Sequence, residues 1–90
     1  MNWVVRKTRR AQRELEAISR ELRDEANEIM NELGEDGPAI FGAMQMRSNP
    51  NTWRVRFGGF RMVYRAIARR REILVTRIGP RATVYRGLKG

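Results

Sequence analysis

The chain contains no histidine and no cysteine. The first absence removes imidazole general bases, Ser–His nucleophiles and most zinc sites. The second removes disulfides and thiolate chemistry. No apolar run approaches the ~20 residues of a membrane span. The N-terminus carries Arg6 and Lys7 with no apolar block after them, so no secretory signal and no membrane contact are expected. A cytoplasmic protein is the reading. Acids are scarce over most of the chain: beyond residue 36 only Glu72 remains. Ninety residues suffice for one domain, expected to span 1–90. A chain this short buries only about two thirds of its unfolded surface. A large enclosed substrate cavity is therefore not expected.

Arginine is abundant. Of 19 cationic residues only Lys7 and Lys89 are lysine, and the formal charge is +9. Residues 1–36 hold seven cations and nine acids, a net of −2, whereas residues 37–90 hold twelve cations and one acid, a net of +11. Solubility alone would be served by mixed charge. Segregation of this kind predicts a face that binds a polyanion, and nucleic acid is the commonest polyanion.

Residues 2–6 read as a short strand rich in aromatic and β-branched residues. Thr8 stands where an N-cap would stand. Ala11, Leu15, Ile18, Leu22, Ala26, Ile29 and Leu33 then recur every three or four residues, the spacing of a helical stripe. Ser19 can divide that stripe and cap its second part, and Gly34 and then Gly37-Pro38 are expected to end it. An α-hairpin over 8–34 is preferred to one bent helix. Residues 38–52 read as irregular, with Gly42 and the turn signal Ser48-Asn49-Pro50-Asn51. Three strands are expected next. Trp53 to Phe57 alternates apolar residues with Arg54 and Arg56, and Gly58-Gly59 turns the chain into Phe60–Ala68. Arg69-Arg70-Arg71 connects to Glu72–Ile78, Gly79-Pro80 breaks the chain, and Thr83-Val84-Tyr85 closes it. The expected class is α+β: an N-terminal strand, an α-hairpin and an antiparallel meander, making an antiparallel sheet with helices packed against one face.

Alternation puts Arg54 and Arg56 on one face. Arg61 begins the neighbouring strand and Arg81 follows the Gly-Pro break, so these arginines can converge if the strands are sequential neighbours. Guanidinium groups grip phosphate bidentately and can stabilise charge on a pentacoordinate phosphorus. They can equally solvate an outward sheet face. Arg65, Arg77 and Arg86 are further candidates to hold a polyanion. Arg69-Arg70-Arg71 is either a phosphate contact or a solvated turn. Tyr64 shares a face with Met62 and Ala66 and is expected to pack, and Trp3 and Trp53 are expected in the core. Tyr85 is the functional candidate of the two tyrosines. Glu14, Glu21, Asp24, Glu25, Glu28 and Glu32 scatter opposite the apolar stripe among Arg20 and Arg23, the pattern of helix-surface ion pairs rather than of a metal site.

Trp53-Arg54-Val55-Arg56-Phe57-Gly58-Gly59-Phe60-Arg61-Met62-Val63-Tyr64 resembles a run found in the RelE/ParE toxins of bacterial toxin–antitoxin systems. Ile78-Gly79-Pro80-Arg81-Ala82-Thr83-Val84-Tyr85-Arg86 resembles the ending of that superfamily, and the element order agrees over nearly the whole chain. On the RelE side the resemblance implies a microbial-RNase-like fold and a metal-independent endoribonuclease without cofactor. Such an enzyme cuts mRNA in the A site of the bacterial ribosome, by attack of the 2′-OH on the adjacent phosphate. By position, Arg61 would stabilise the pentacoordinate phosphate, Arg81 would steady the leaving oxygen, and Tyr85 would stack on the scissile nucleotide or exchange a proton near it. Arg54 and Arg56 fall where such enzymes often carry lysine, and Pro80 stands where many carry histidine. Guanidinium is a poor base, so proton removal falls to Tyr85, to a ribosomal RNA group or to the substrate. The alternative within the superfamily is a ParE-like inhibitor of DNA gyrase with no chemistry of its own. Either toxin implies a cognate acidic antitoxin as partner.

Overall fold

The structure, a computed structural model, describes residues 2–80. Strand β1 (Val4–Lys7) leads into helices α1 (Arg9–Ala17) and α2 (Arg20–Asp36). Four strands follow: β2 (Ala43–Met46), β3 (Asn49–Phe57), β4 (Phe60–Ile67) and β5 (Glu72–Pro80), with a 3₁₀ turn at Ala68–Arg70 before the last. They form one sheet in the order β1-β5-β4-β3-β2. The mixed α+β architecture and the meander agree with expectation.

Both caps read from sequence are present. The Thr8 hydroxyl accepts the Ala11 N–H at 3.1 Å, and the Ser19 hydroxyl accepts the Leu22 N–H at 3.3 Å. Ser19 lies between two separate helices, so the bent single helix is excluded. The helical segment does not stop at Gly34 but runs on to Asp36. A glycine inside a helix costs about 1 kcal/mol without ending it; a glycine ends a helix when it takes a positive φ just past the last turn. Gly37 supplies that, with φ +88°, and its N–H reaches the Leu33 carbonyl at 2.9 Å. A Cβ on Gly37 would lie 2.9 Å from Trp3 Nε1, so glycine is also required for space.

Two expectations about the sheet are corrected. Residues 38–52 are not wholly irregular: they contain β2 and the start of β3, paired through Ala43↔Val55 and Met44↔Arg54. The β2 sequence Ala-Met-Gln-Met lacks the alternation and β-branched residues of a self-evident strand, and it is held by its partner. The sheet is also mixed rather than purely antiparallel, because β1 pairs with β5 in parallel, Val5 opposite Ile73 and Lys7 opposite Val75. The two helices between the N-terminal strand and the meander supply the long connection that parallel pairing requires.

The two faces of the sheet differ sharply. Val55, Phe57, Met62, Tyr64, Ile73, Val75 and Ile78 join Ala11, Leu15, Ala26, Met30 and Leu33 of the helices in one buried cluster. Trp3 and Trp53 pack against that cluster, half-buried. The Gly58-Gly59 hairpin sets the register: Gly58 takes φ +56°, and Phe57 faces Phe60 across the turn. That register assigns the remaining positions of β3 and β4 to the opposite face.

Candidate functional site

Cross-strand partners project from the same side of a sheet, with Cβ atoms about 5 Å apart. On the face away from the helices, Arg56 of β3 stands directly opposite Arg61 of β4, and Arg61 is opposite Gly79 of β5. The next row along is Arg54, Val63 and Arg77, and the one after contains Thr52, Arg65 and Leu74. Like charges directly opposite each other destabilise a strand pair by roughly 0.2–1 kcal/mol. No carboxylate relieves Arg56 or Arg61 among the described residues. Among the described residues Arg61 gives one bond, a 3.4 Å contact with the Phe60 carbonyl, and Arg56 is exposed. Arg54 is half-buried and reaches Met44 Sδ of its β2 partner at 3.8 Å. Arg65 is exposed. Four guanidinium groups on one acid-free stretch of sheet form a surface built for negative charge.

Arg77 is placed differently. A register shift between Val63 and Tyr64 leaves Thr76 unpaired in β5, and the Arg77 side chain is only 9% exposed. Its Nε donates to Glu14 Oε2 at 3.1 Å, while the other Glu14 oxygen accepts the Ile78 N–H at 2.7 Å. Arg10 lies 3.6 Å from the same carboxylate. Glu14 thus fastens α1 to the end of β5 that lies beyond the last β1 partner, where the strand edge would otherwise be open. Sequence reasoning treated Glu14 as one helix-surface acid among six. Only tertiary structure brings residues 63 positions apart together; the sole local signal was a carboxylate beside the buried Leu15.

Tyr64 is fully buried, and its hydroxyl donates to the Pro38 carbonyl at 2.6 Å. Burial pushes its phenol well above the ordinary tyrosine range. It is a core residue with a satisfied hydroxyl and is unavailable for proton transfer. Tyr64→Phe leaves the Pro38 carbonyl without this donor; a loss of about 1–2 kcal/mol is expected in denaturant unfolding, with growth inhibition on expression retained. Arg81, Tyr85 and Arg86 lie outside the described residues, as does the Thr83-Val84-Tyr85 closing segment. The chain reaches Arg81 directly from Pro80, which pairs with Phe60 beside Arg61. No group of three or more acidic residues able to hold a metal occurs among the described residues. No helix among them is long and apolar enough to cross a membrane.

Residues 5–85 match the family model of the ParE toxin of the type II toxin–antitoxin system parDE. The chain belongs to that family. It is therefore a ParE-family toxin of the RelE/ParE superfamily, as the two sequence motifs suggested. Solved RelE toxins share its fold. The isolated RelE toxin of E. coli superposes with a TM-score of 0.77 at 23% identity, over 92% of this chain and 90% of that one. The toxin–antitoxin complex RelBE2 of Mycobacterium tuberculosis gives 0.76 at 20% identity, over 90% and 100%. The archaeal RelE–RelB complex of Pyrococcus horikoshii gives 0.78 at 16%, over 92% and 99%. No curated protein sequence matches. In the mycobacterial and archaeal structures a toxin of this fold is bound to its antitoxin.

Proposed function

We propose that this ParE-family toxin is a ribosome-dependent, metal-independent mRNA endonuclease that uses arginine rather than histidine or lysine. The observation that carries this reading is the Arg56–Arg61 pair: two guanidinium groups held face to face, with no carboxylate between them, on a sheet face with no acidic neighbour in its row. Such a pair costs the fold stability and gains it back when a phosphate enters. Arg61 grips the scissile phosphate and stabilises the pentacoordinate species formed as the 2′-OH attacks and the 5′-oxygen leaves. Arg81 steadies that leaving oxygen, and Tyr85 stacks on the nucleotide or exchanges its proton. Arg54, Arg56, Arg65 and Arg86 hold the RNA backbone. Arg77 is left out of this set, since its side chain is buried and its Nε is held by Glu14.

Because no neutral base is available from the described residues of this face, chemistry off the ribosome is expected to be slower by the ~10²–10⁴-fold that acid–base help supplies. The ribosome with mRNA in its A site, and an acidic antitoxin that masks the basic face, are the partners of this reading. The antitoxin complexes among the structural relatives support the second.

The family match favours a second reading, inhibition of DNA gyrase by binding alone. Brief induction of the toxin, followed by primer-extension mapping of transcripts, separates the two. Cuts inside translated codons with rapid loss of translation are expected. Intact messages, filamentation and a DNA-damage response would establish the gyrase reading instead.

A further inference from the structure

The basic surface does not end at the candidate site. Along β4, Ile67 lies six positions beyond Arg61, a distance of about 20 Å. At that far end Ile67 pairs with Glu72, and Glu72 pairs with Val4 of β1. Arg6 and Arg65 flank Leu74 in the adjoining row. Arg69, Arg70 and Arg71 cap the same end, all exposed. Arg71 takes φ +50° and lies with its guanidinium 5.9 Å from the Trp3 ring, which ties it to the core side. Arg6 and Arg70 then share a single carboxylate, with Arg65 and Arg69 exposed at the same end of the sheet.

Glu72 is set low in this group: its side chain is 15% exposed, against 66% for Arg6 and 68% for Arg70. One of its oxygens takes Arg6 Nη1 at 3.0 Å and the other lies 3.9 Å from Arg70 Nη1. Each guanidinium has five N–H donors, so each keeps most of them facing solvent while the carboxylate bonds Arg6 and draws Arg70 to the same spot. Exposed ion pairs contribute little to stability, and one arginine would suffice to neutralise one acid. A net positive cluster with two oriented guanidinium groups has a different use.

We propose that Arg6 and Arg70, gathered by Glu72, form a second contact for the phosphodiester backbone of RNA, roughly 13–20 Å along the strands from the Arg56–Arg61 row and joined to it through Arg65. This rests on the reading that the ligand of the first row is RNA. The cluster carries no chemistry. It neutralises phosphates outside the cleavage site, adds affinity without regard to sequence, and makes that affinity salt-dependent.

The test is fluorescence anisotropy of the purified full chain with a labelled single-stranded RNA long enough to span both ends, at several salt concentrations. Loss of two phosphate contacts in the double variant Arg6→Gln, Arg70→Gln should make the slope of log affinity against log salt shallower by about 1.4. Glu72→Gln keeps an oxygen that accepts from Arg6 and removes the one negative charge of the cluster, so it should tighten binding several-fold. An unchanged slope in the double variant, or unchanged or weaker binding by Glu72→Gln with its fold intact by circular dichroism, overturns the proposal. If Arg61→Ala weakens RNA binding and the far-end variants do not, only this inference fails. If the wild-type chain binds no RNA, the reading of the first row fails with it. If the far-end variants lose an acidic antitoxin peptide but keep RNA, the cluster is a protein-binding surface and the proposal is wrong.

Discussion

Arg61→Ala is expected to abolish growth inhibition and to lower cleavage of ribosome-bound mRNA by about 10²–10³-fold, the effect of removing one preorganised donor from a charge-stabilising site. Stability should not fall with it. Arg61 faces Arg56 across the strand pair, and its one bond among the described residues is a long contact with the Phe60 carbonyl. Removing the side chain relieves a like-charge opposition worth roughly 0.2–1 kcal/mol. Activity and stability should thus move in opposite directions. Single-turnover cleavage on programmed ribosomes gives the first and a denaturant melt gives the second. Arg61→Lys refines the result: charge is kept, the bidentate grip is lost, and activity should fall between wild type and alanine. Full toxicity of Arg61→Ala would remove the arginine-centred mechanism.

The elements that could be read from sequence are those fixed by neighbours along the chain. Trp53 to Phe57 shows the period of a strand with one buried face, and the Gly58-Gly59 turn carries that register into β4. Once the register is known, Arg56 opposite Arg61 follows without coordinates. Thr8 and Ser19 announced their helices because a cap is a contact over three residues. What escaped depends on distant partners. Strand β2 is held by pairing with β3 rather than by its own propensity. The parallel seating of β1 against β5 joins residues about seventy positions apart in sequence, such as Val4 and Glu72. Gly34 misled for a related reason: a glycine stops a helix by adopting positive φ, and composition does not tell which of two nearby glycines, Gly34 or Gly37, does so. Charge segregation, by contrast, was fully visible. The acids of residues 1–36 fall on the helices and the sheet face opposite them keeps its arginines, so two halves of different charge become two faces.

Glu14→Ala tests the connection between those faces. The side chain makes two bonds to β5, one to the buried Arg77 guanidinium and one to the Ile78 N–H, and both end on a stretch of strand that β1 no longer covers. Hydrogen bonds to charged groups each contribute about 1.5–3 kcal/mol, and desolvation of the carboxylate offsets part of that. A net loss of about 2–3 kcal/mol is expected in denaturant unfolding. A small domain has roughly 5–15 kcal/mol in all, so the effect is large. Glu14→Gln separates the two bonds, since an amide oxygen can still accept the Ile78 N–H but leaves Arg77 facing a neutral group. It should recover less than half of the loss if the charge dominates. The functional consequence follows from position: Ile78 precedes Gly79, which is registered against Arg61, and Pro80, from which the chain proceeds to Arg81. Loosening Ile78 should lower cleavage even under conditions where Glu14→Ala remains folded, with the turnover rate falling more than the affinity for RNA, because Arg56 and Arg61 are held by the β3–β4 hairpin and not by this clasp. Equal loss of affinity and turnover, or no loss of either in the folded variant, would show that Glu14 serves stability alone.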